Sequence, residues 1–194
     1  MTENMNSDQQ PTRRGVPLWA QITIWVALVA LLVILALGLR RSQQGTVQPG
    51  DIIPDFSLKM FDGYNFQGKS EVKLSELRGN VVVINFWASW CKPCEQEAAD
   101  LEQAWQYYQP SGDVVFLGAD YVDTEPEARA YLEKFNISFP NGPDMGTRIS
   151  QMFRIKGVPE TYFIDREGVL QYIQVGPFAS IGQIQSIVDK LLAQ

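Results

Sequence analysis

Residues Leu18 to Leu39 read LWAQITIWVALVALLVILALGL, 22 positions without a charge, bracketed by Arg13 and Arg14 before and by Arg40 and Arg41 after. At about 1.5 Å of helix per residue such a run covers the roughly 30 Å hydrocarbon core of a bilayer. A core helix of this length ordinarily shows a polar face, and here only Gln21 and Thr23 interrupt the apolar sequence. A cleaved signal peptide has an apolar region of about 7 to 15 residues ending in small residues, whereas the sequence LGLRRSQQ offers no A-x-A site. The expectation is a retained transmembrane helix, with Trp19 where an interfacial anchor sits and Trp25 in the same half. The chain then divides into a tail (1–17), the anchor (18–39), a polar linker (40–50) that includes SQQGTVQPG, and a domain (51–194).

From Ser42 onward the chain holds 12 basic and 20 acidic residues, a net charge of −8, with no basic stripe. That charge gives no attraction to phosphate backbones or anionic lipid, so nucleic acid is excluded as a partner and the domain gains nothing from lying on the membrane. Apolar residues at 45 % and charged residues at 20 % are ordinary for a globular protein, which argues for one packed core. Two arginines on each side of the anchor leave the positive-inside rule tied, and a large following domain can translocate whatever its charge.

The domain alternates strand and helix patterns. FSLKMFDGYNF alternates like a strand around an Asp62-Gly63 turn, and EVKLSELRG adds a second short strand. NVVVINFW is continuously apolar and β-branched, as a strand buried on both faces would be. CEQEAADLEQAWQYYQ is helical, with Ala98, Leu101, Ala104, Trp105 and Tyr108 spaced three and four apart on one face. GDVVFLGADYV is a second buried strand. TEPEARAYLEKFNI opens like a helix with Thr124 as N-cap, Pro126 in the first turn and Glu127 completing a capping box. A short helix around DMGTRISQMF, the strands KGVPETYFID and GVLQYIQV about an Asp165 to Gly168 turn, and the amphipathic SIGQIQSIVDKLLAQ complete the chain. This order predicts a three-layer α/β sandwich with a mixed central sheet.

Both cysteines fall at one junction: Cys91 directly follows the first buried strand, and Cys94 lies one turn into the next helix. Residues three apart on a helix face the same way, with Cβ atoms about 5 to 6 Å apart, close enough for a disulfide after small adjustment. Cys91 meets the unpaired N–H groups and positive dipole of the helix N-terminus, which favour a thiolate. Cys94 sits deeper, placed to resolve a mixed disulfide. As a staple the pair is nearly useless, because closing so short a loop removes almost no chain entropy. Zinc needs about four ligands, and the chain has two cysteines and no histidine. A covalent haem site wants histidine after the second cysteine, where Glu95 stands. Lack of histidine also removes a His-assisted thiol hydrolase. Redox chemistry without metal or cofactor is the reading.

NFWASWCKPC, with its strand and helix, resembles the active site of thioredoxin-fold proteins. The longer pattern IPDFSLKMFDGYNF, VKLSELRGNVVVINFWASWCKPCEQEAADLE and FRIKGVPETYFIDREG is similar to the membrane-anchored, extracytoplasmic thiol-disulfide oxidoreductases of the ResA, CcmG (DsbE) and TlpA type, which serve cytochrome c maturation within the AhpC/TSA-redoxin superfamily. The resemblance runs from Asp51 to the C-terminus and implies a thioredoxin-like sandwich on a single-pass anchor, with the domain outside the cytoplasm. Cys91 would be the nucleophile and Cys94 the resolving thiol. Pro159 matches the proline that is cis in this fold and lies against the cysteines, with the backbone at Val158 and Glu160 free to pair with a bound peptide. Ordinary thioredoxins carry a buried aspartate where this chain has Asn85, which takes no proton. Glu97 then becomes the candidate to assist deprotonation of Cys94; read without the resemblance, it is a solvated first-turn acid favoured by the helix dipole. Glu160, beside Pro159, would add negative potential near the thiols. Trp90 is either a packing residue or an exposed platform for a peptide.

The resemblance implies a protein disulfide as substrate, that of an apocytochrome c being the best motivated, and a membrane electron donor of the CcdA or DsbD type. A disulfide oxidase or isomerase would have the same residues. A peroxiredoxin-type peroxidase shares the opening IPDFSL but needs P-x-x-x-[ST]-x-x-C; three before Cys91 is Ala88, and three before Cys94 is Cys91. An inert, anchored binding module is the remaining alternative.

Overall fold

The computed structural model describes residues 17–42 and 47–194 of the chain. The tail expected over 1–17, apart from Pro17, and the linker residues 43–46 lie outside the described residues. So do Arg13 and Arg14, and the side chains of Arg40 and Arg41, on which the charge comparison rests.

Helix α1 runs from Leu18 to Ser42. Within it Leu18–Ala36 has a mean hydropathy of 2.5 and none of it is buried by protein, so the helix is long and apolar enough to cross a membrane. The Thr23 hydroxyl donates back to the Ala20 carbonyl at 2.9 Å, which satisfies that polar group within the helix.

The remaining unit spans Thr46–Gln194. Part of the expected linker belongs to it: Val47 packs on its core, and Gly50 donates to Leu170 O at 2.7 Å. A small antiparallel pair, β1 (Ser57–Lys59) with β2 (Glu71–Lys73), precedes the central sheet. The central sheet contains β3 (Val81–Trp87), β4 (Val114–Asp120), β5 (Asn141–Pro143), β6 (Glu160–Ile164) and β7 (Leu170–Val175) in the order β5-β4-β3-β6-β7. Strands β3, β4 and β5 are parallel, β6 runs antiparallel to β3, and β7 runs antiparallel to β6. The mixed sheet follows from the connections: β3 and β4 are joined through helix α2 (Lys92–Tyr108), β4 and β5 through α3 (Glu125–Lys134), and β6 and β7 by a tight turn.

Alternation along β3 and β4 builds two cores. Val81, Val83, Trp87, Val114 and Phe116 pack with α2, α3 and α5 (Ile181–Leu192). Val82, Ile84, Phe86, Val115 and Leu117 pack with Phe56, Leu58, Leu74 and Phe153, the last from helix α4 (Arg148–Phe153). Both strands are therefore buried along their whole length, and the domain has the expected three layers. Ala98, Leu101, Ala104, Trp105 and Tyr108 are all buried on α2.

One local expectation fails, and one strand goes unread. Thr124 does precede α3, but its hydroxyl donates to the Glu127 carboxylate at 2.7 Å and makes no bond to the backbone, so the capping box does not form. Asn141–Pro143, which carries no sequence-based expectation, forms an edge strand. Gly142 makes this possible, because a Cβ there would run into the Lys59 carbonyl.

Candidate active site

The central parallel strands end side by side, with Trp87 opposite Asp120, and the loop leaving β3 carries the cysteines. Cys91 is the N-cap of α2 in extended conformation, and Pro93 fits the first turn. The two cysteines form a disulfide, with Cα atoms 5.3 Å apart. The Cys94 amide donates to Cys91 Sγ at 3.1 Å. One orphan N–H of the helix terminus is thus aimed at the sulfur, the arrangement that stabilises a thiolate when the bond is reduced. Cys91 is 4 % exposed and Cys94 1 %, so both are buried.

Glu97 is not solvated: it is 1 % exposed and lies one turn beyond Cys94, facing the sheet. Its Oε1 accepts from Asn85 Nδ2 at 2.8 Å and its Oε2 from the Phe178 amide at 3.1 Å. Asn85 also donates to Thr161 Oγ1 at 2.9 Å, which ties β3, α2 and β6 together. Burial pushes the Glu97 carboxyl up to about 7, although the bonds from Asn85 and Phe178 pull the other way. Asn85 and Cys94 line one cavity of about 10 Å³ with Trp87, Tyr131 and Asn141, room for about one water.

Val158-Pro159 is a cis peptide. Val158 is partly buried and packs on both cores, and the Pro159 carbonyl accepts from Gly176 N at 3.0 Å. Trp90 is 59 % exposed beside Cys91, its indole donating to Val122 O at 3.4 Å. Glu160 is not brought to Glu97. Its buried carboxylate accepts from Lys156 N at 2.8 Å and from the Tyr162 hydroxyl at 2.6 Å, in the core on the other side of the sheet.

Sequence reading missed Thr161, the Phe178 amide and Asp123, whose Oδ1 accepts from Ser89 Oγ at 2.7 Å, just ahead of the cysteines. Only the acids ending the apolar strand, in DYVD, could have signalled the last.

The AhpC/TSA family model matches residues 49–173. The chain belongs to this family. It is 30 % identical over 155 residues to the thiol-disulfide oxidoreductase ResA of Oceanobacillus iheyensis, covering 79 % of each chain. It is 34 % identical over 131 residues to the thioredoxin-like protein YneN of Bacillus subtilis, covering 67 % of this chain and 73 % of that one. Among solved structures it matches a thioredoxin-family thiol:disulfide interchange protein of Chlorobium tepidum with a TM-score of 0.62 and 26 % identity, over 76 % of this chain and 99 % of the other. The family member described here has the mixed-sheet thioredoxin-like fold and is a thiol-disulfide oxidoreductase of the ResA/DsbE type.

Proposed function

We propose that this protein is held in the membrane by residues 18–39, with the polar stretch before Val47 as a spacer and the domain outside the cytoplasm, and reduces disulfides in proteins there. The Cys91 thiolate attacks one sulfur of a substrate disulfide, forming a mixed disulfide and releasing the first substrate thiolate. Cys94, giving up its proton, then attacks Cys91 Sγ and expels the second substrate thiolate. The substrate gains two electrons, and Cys91–Cys94 is left oxidised. Glu97 takes part as proton acceptor for Cys94, one helical turn away, with Asn85 holding the carboxylate. The backbone of Val158, before cis-Pro159, is offered to an extended peptide, whereas that of Glu160 is paired within the sheet between β3 and β7, and Trp90 offers an apolar face. The substrate proposed is the disulfide of an apocytochrome's C-x-x-C-H, reduced so that haem can attach, and electrons return through a membrane thiol carrier of the CcdA or DsbD type.

The observation that carries this reading is the Cys91 sulfur capping α2 while a buried carboxyl of raised affinity for protons lies one turn beyond Cys94. Equilibrating the Cys91–Cys94 couple against glutathione and dithiothreitol mixtures tests it. A potential near or below that of thioredoxin, about −270 mV, is expected; a value above about −180 mV assigns the protein to disulfide formation or isomerisation instead.

A further inference from the structure

The loop that leaves β4 holds the loop that carries the cysteines. Tyr121 N donates to Trp87 O at 2.7 Å. The Ser89 amide donates to Asp123 Oδ2, the Ser89 hydroxyl donates to Asp123 Oδ1, and the Trp90 indole donates to Val122 O. Both residues immediately before Cys91 are therefore fastened to residues 122 and 123. Val122 reaches this position with φ of 54°, a left-handed backbone that a β-branched residue adopts only against steric resistance. The strained turn brings the Val122 carbonyl and the Asp123 carboxylate to face one short segment.

Beneath Asp123 lies Asp120, the last residue of β4. It is 2 % exposed, and its Oδ1 has no hydrogen-bond partner. The charged groups acting on Asp120 are Asp123 and, from the connection after β5, Asp144. Asp144 is itself committed, accepting from the Ile149 and Ser150 amides at 2.8 and 2.7 Å. From the cysteine loop the group facing Asp123 is Ser89. Among the described residues no lysine or arginine is ion-paired with Asp120, Asp123 or Asp144. A buried carboxyl beside a half-buried carboxylate, with no cation at hand, does not ionise cheaply.

We propose that Asp123 is a positioning residue for Cys91, and that Asp120 in its neutral form secures it by donating its O–H to the Asp123 carboxylate. One carboxylate then accepts three donors: the Asp120 hydroxyl, the Ser89 amide and the Ser89 hydroxyl. Burial, followed by the charge and hydrogen bond of Asp123, pushes the Asp120 carboxyl up to about 8, so Asp120 keeps its proton at neutral pH. Ionising Asp120 sets two anions side by side, and the partner that yields is Asp123, half-buried next to the strained Val122. Its withdrawal releases Ser89 and loosens the N-cap geometry of Cys91. This inference rests on the dithiol reading for its consequence, but the proton sharing is testable without any turnover.

The test uses the full chain in detergent in its disulfide form, where neither sulfur titrates. Carbon-detected NMR follows the side-chain carboxyl of Asp120 and proton–nitrogen spectra follow the Ser89 amide from pH 5 to 10. Asp120 is expected to titrate with a midpoint near 8, and the Ser89 amide to move with it. Asp120→Asn keeps a donor towards Asp123 and cannot ionise, so in that variant the Ser89 titration flattens. An Asp120 midpoint in the ordinary range, about 4, overturns the proposal, as does a Ser89 titration that persists in Asp120→Asn. After reduction, Asp123→Ala is expected to slow thiol–disulfide exchange by about tenfold, and the wild-type decline above pH 8 should be absent from Asp120→Asn. An unchanged rate in Asp123→Ala removes the positioning role. Absence of exchange at every pH in the wild type, with the NMR titrations intact, instead indicts the oxidoreductase reading.

Discussion

Replacing Glu97 by Gln keeps the shape of the side chain and removes its titration. In the fold the Glu97 carboxyl lies at about 7 against an ordinary 4.5, because burial outweighs the bonds from Asn85 and Phe178. The folded state therefore holds the proton more tightly than the unfolded chain. The stability this contributes is fully present below about 4.5 and is lost as pH rises through about 7. At about 1.4 kcal/mol per tenfold change in proton affinity, the loss amounts to about 3 kcal/mol, an order of magnitude. Glu97→Gln escapes that loss. Its amide can accept from only one of the two donors that now meet the carboxylate, which costs about 1 to 3 kcal/mol at every pH. The variant should thus be less stable than the wild type at pH 4 and equal or more stable at pH 8. Urea unfolding of the oxidised domain Thr46–Gln194 at both pH values measures this, with the slope checked for constancy. The second raised carboxyl, Asp120, titrates in both proteins and cancels in the comparison. Parallel pH dependences in wild type and variant would refute the argument that Glu97 is a buried, proton-holding group.

Tyr162→Phe removes the hydroxyl that donates to buried Glu160 and should cost about 1 to 3 kcal/mol in urea unfolding. It should shift the Cys91–Cys94 potential by less than about 30 mV, and a larger shift would show that Glu160 acts on the thiols after all. Gly118→Ala puts a Cβ into the Asn141 side chain and against the Trp87 indole nitrogen. The overpacking should cost about 1 to 3 kcal/mol, and an unchanged melting temperature would mean that the Trp87–Asn141 bond of 2.8 Å is readily rearranged.

What the sequence made legible was whatever a single element decides. Cys91 at a helix start, Cys94 one turn in and the buried face of α2 follow from helical spacing, and the continuous apolar runs of β3 and β4 follow from helices on both faces. The Glu97 position was legible only through resemblance, since a first-turn acid is by itself more simply a solvated one; its burial is set by Phe178, 81 residues away. The capping box at Thr124 failed because the hydroxyl found the Glu127 carboxylate before the backbone. Strand β5 was hidden because only its packing against Lys59, through Gly142, overrides the turn chemistry of Asn-Gly-Pro.

The two glutamates near the cysteines show how far local reading reaches. Glu97 and Glu160 both adjoin a recognisable motif, yet only one joins the polar network, and strand register decides which. In the antiparallel pairing of β3 with β6, Asn85 lies opposite Thr161 and Phe86 opposite Glu160. Directly paired residues share a face, so Thr161 meets Asn85 and Glu97 on the α2 side. Glu160 goes with Phe86 and Tyr162 to the other core. A slip of one residue would exchange the two and set Glu160 beside Glu97. Two buried carboxylates would then compete for the Asn85 amide, and the proton affinity of Glu97 would no longer be set by its own burial. The register of a strand pair, invisible in the motif itself, is what leaves Glu97 without a second carboxylate competing for the Asn85 amide.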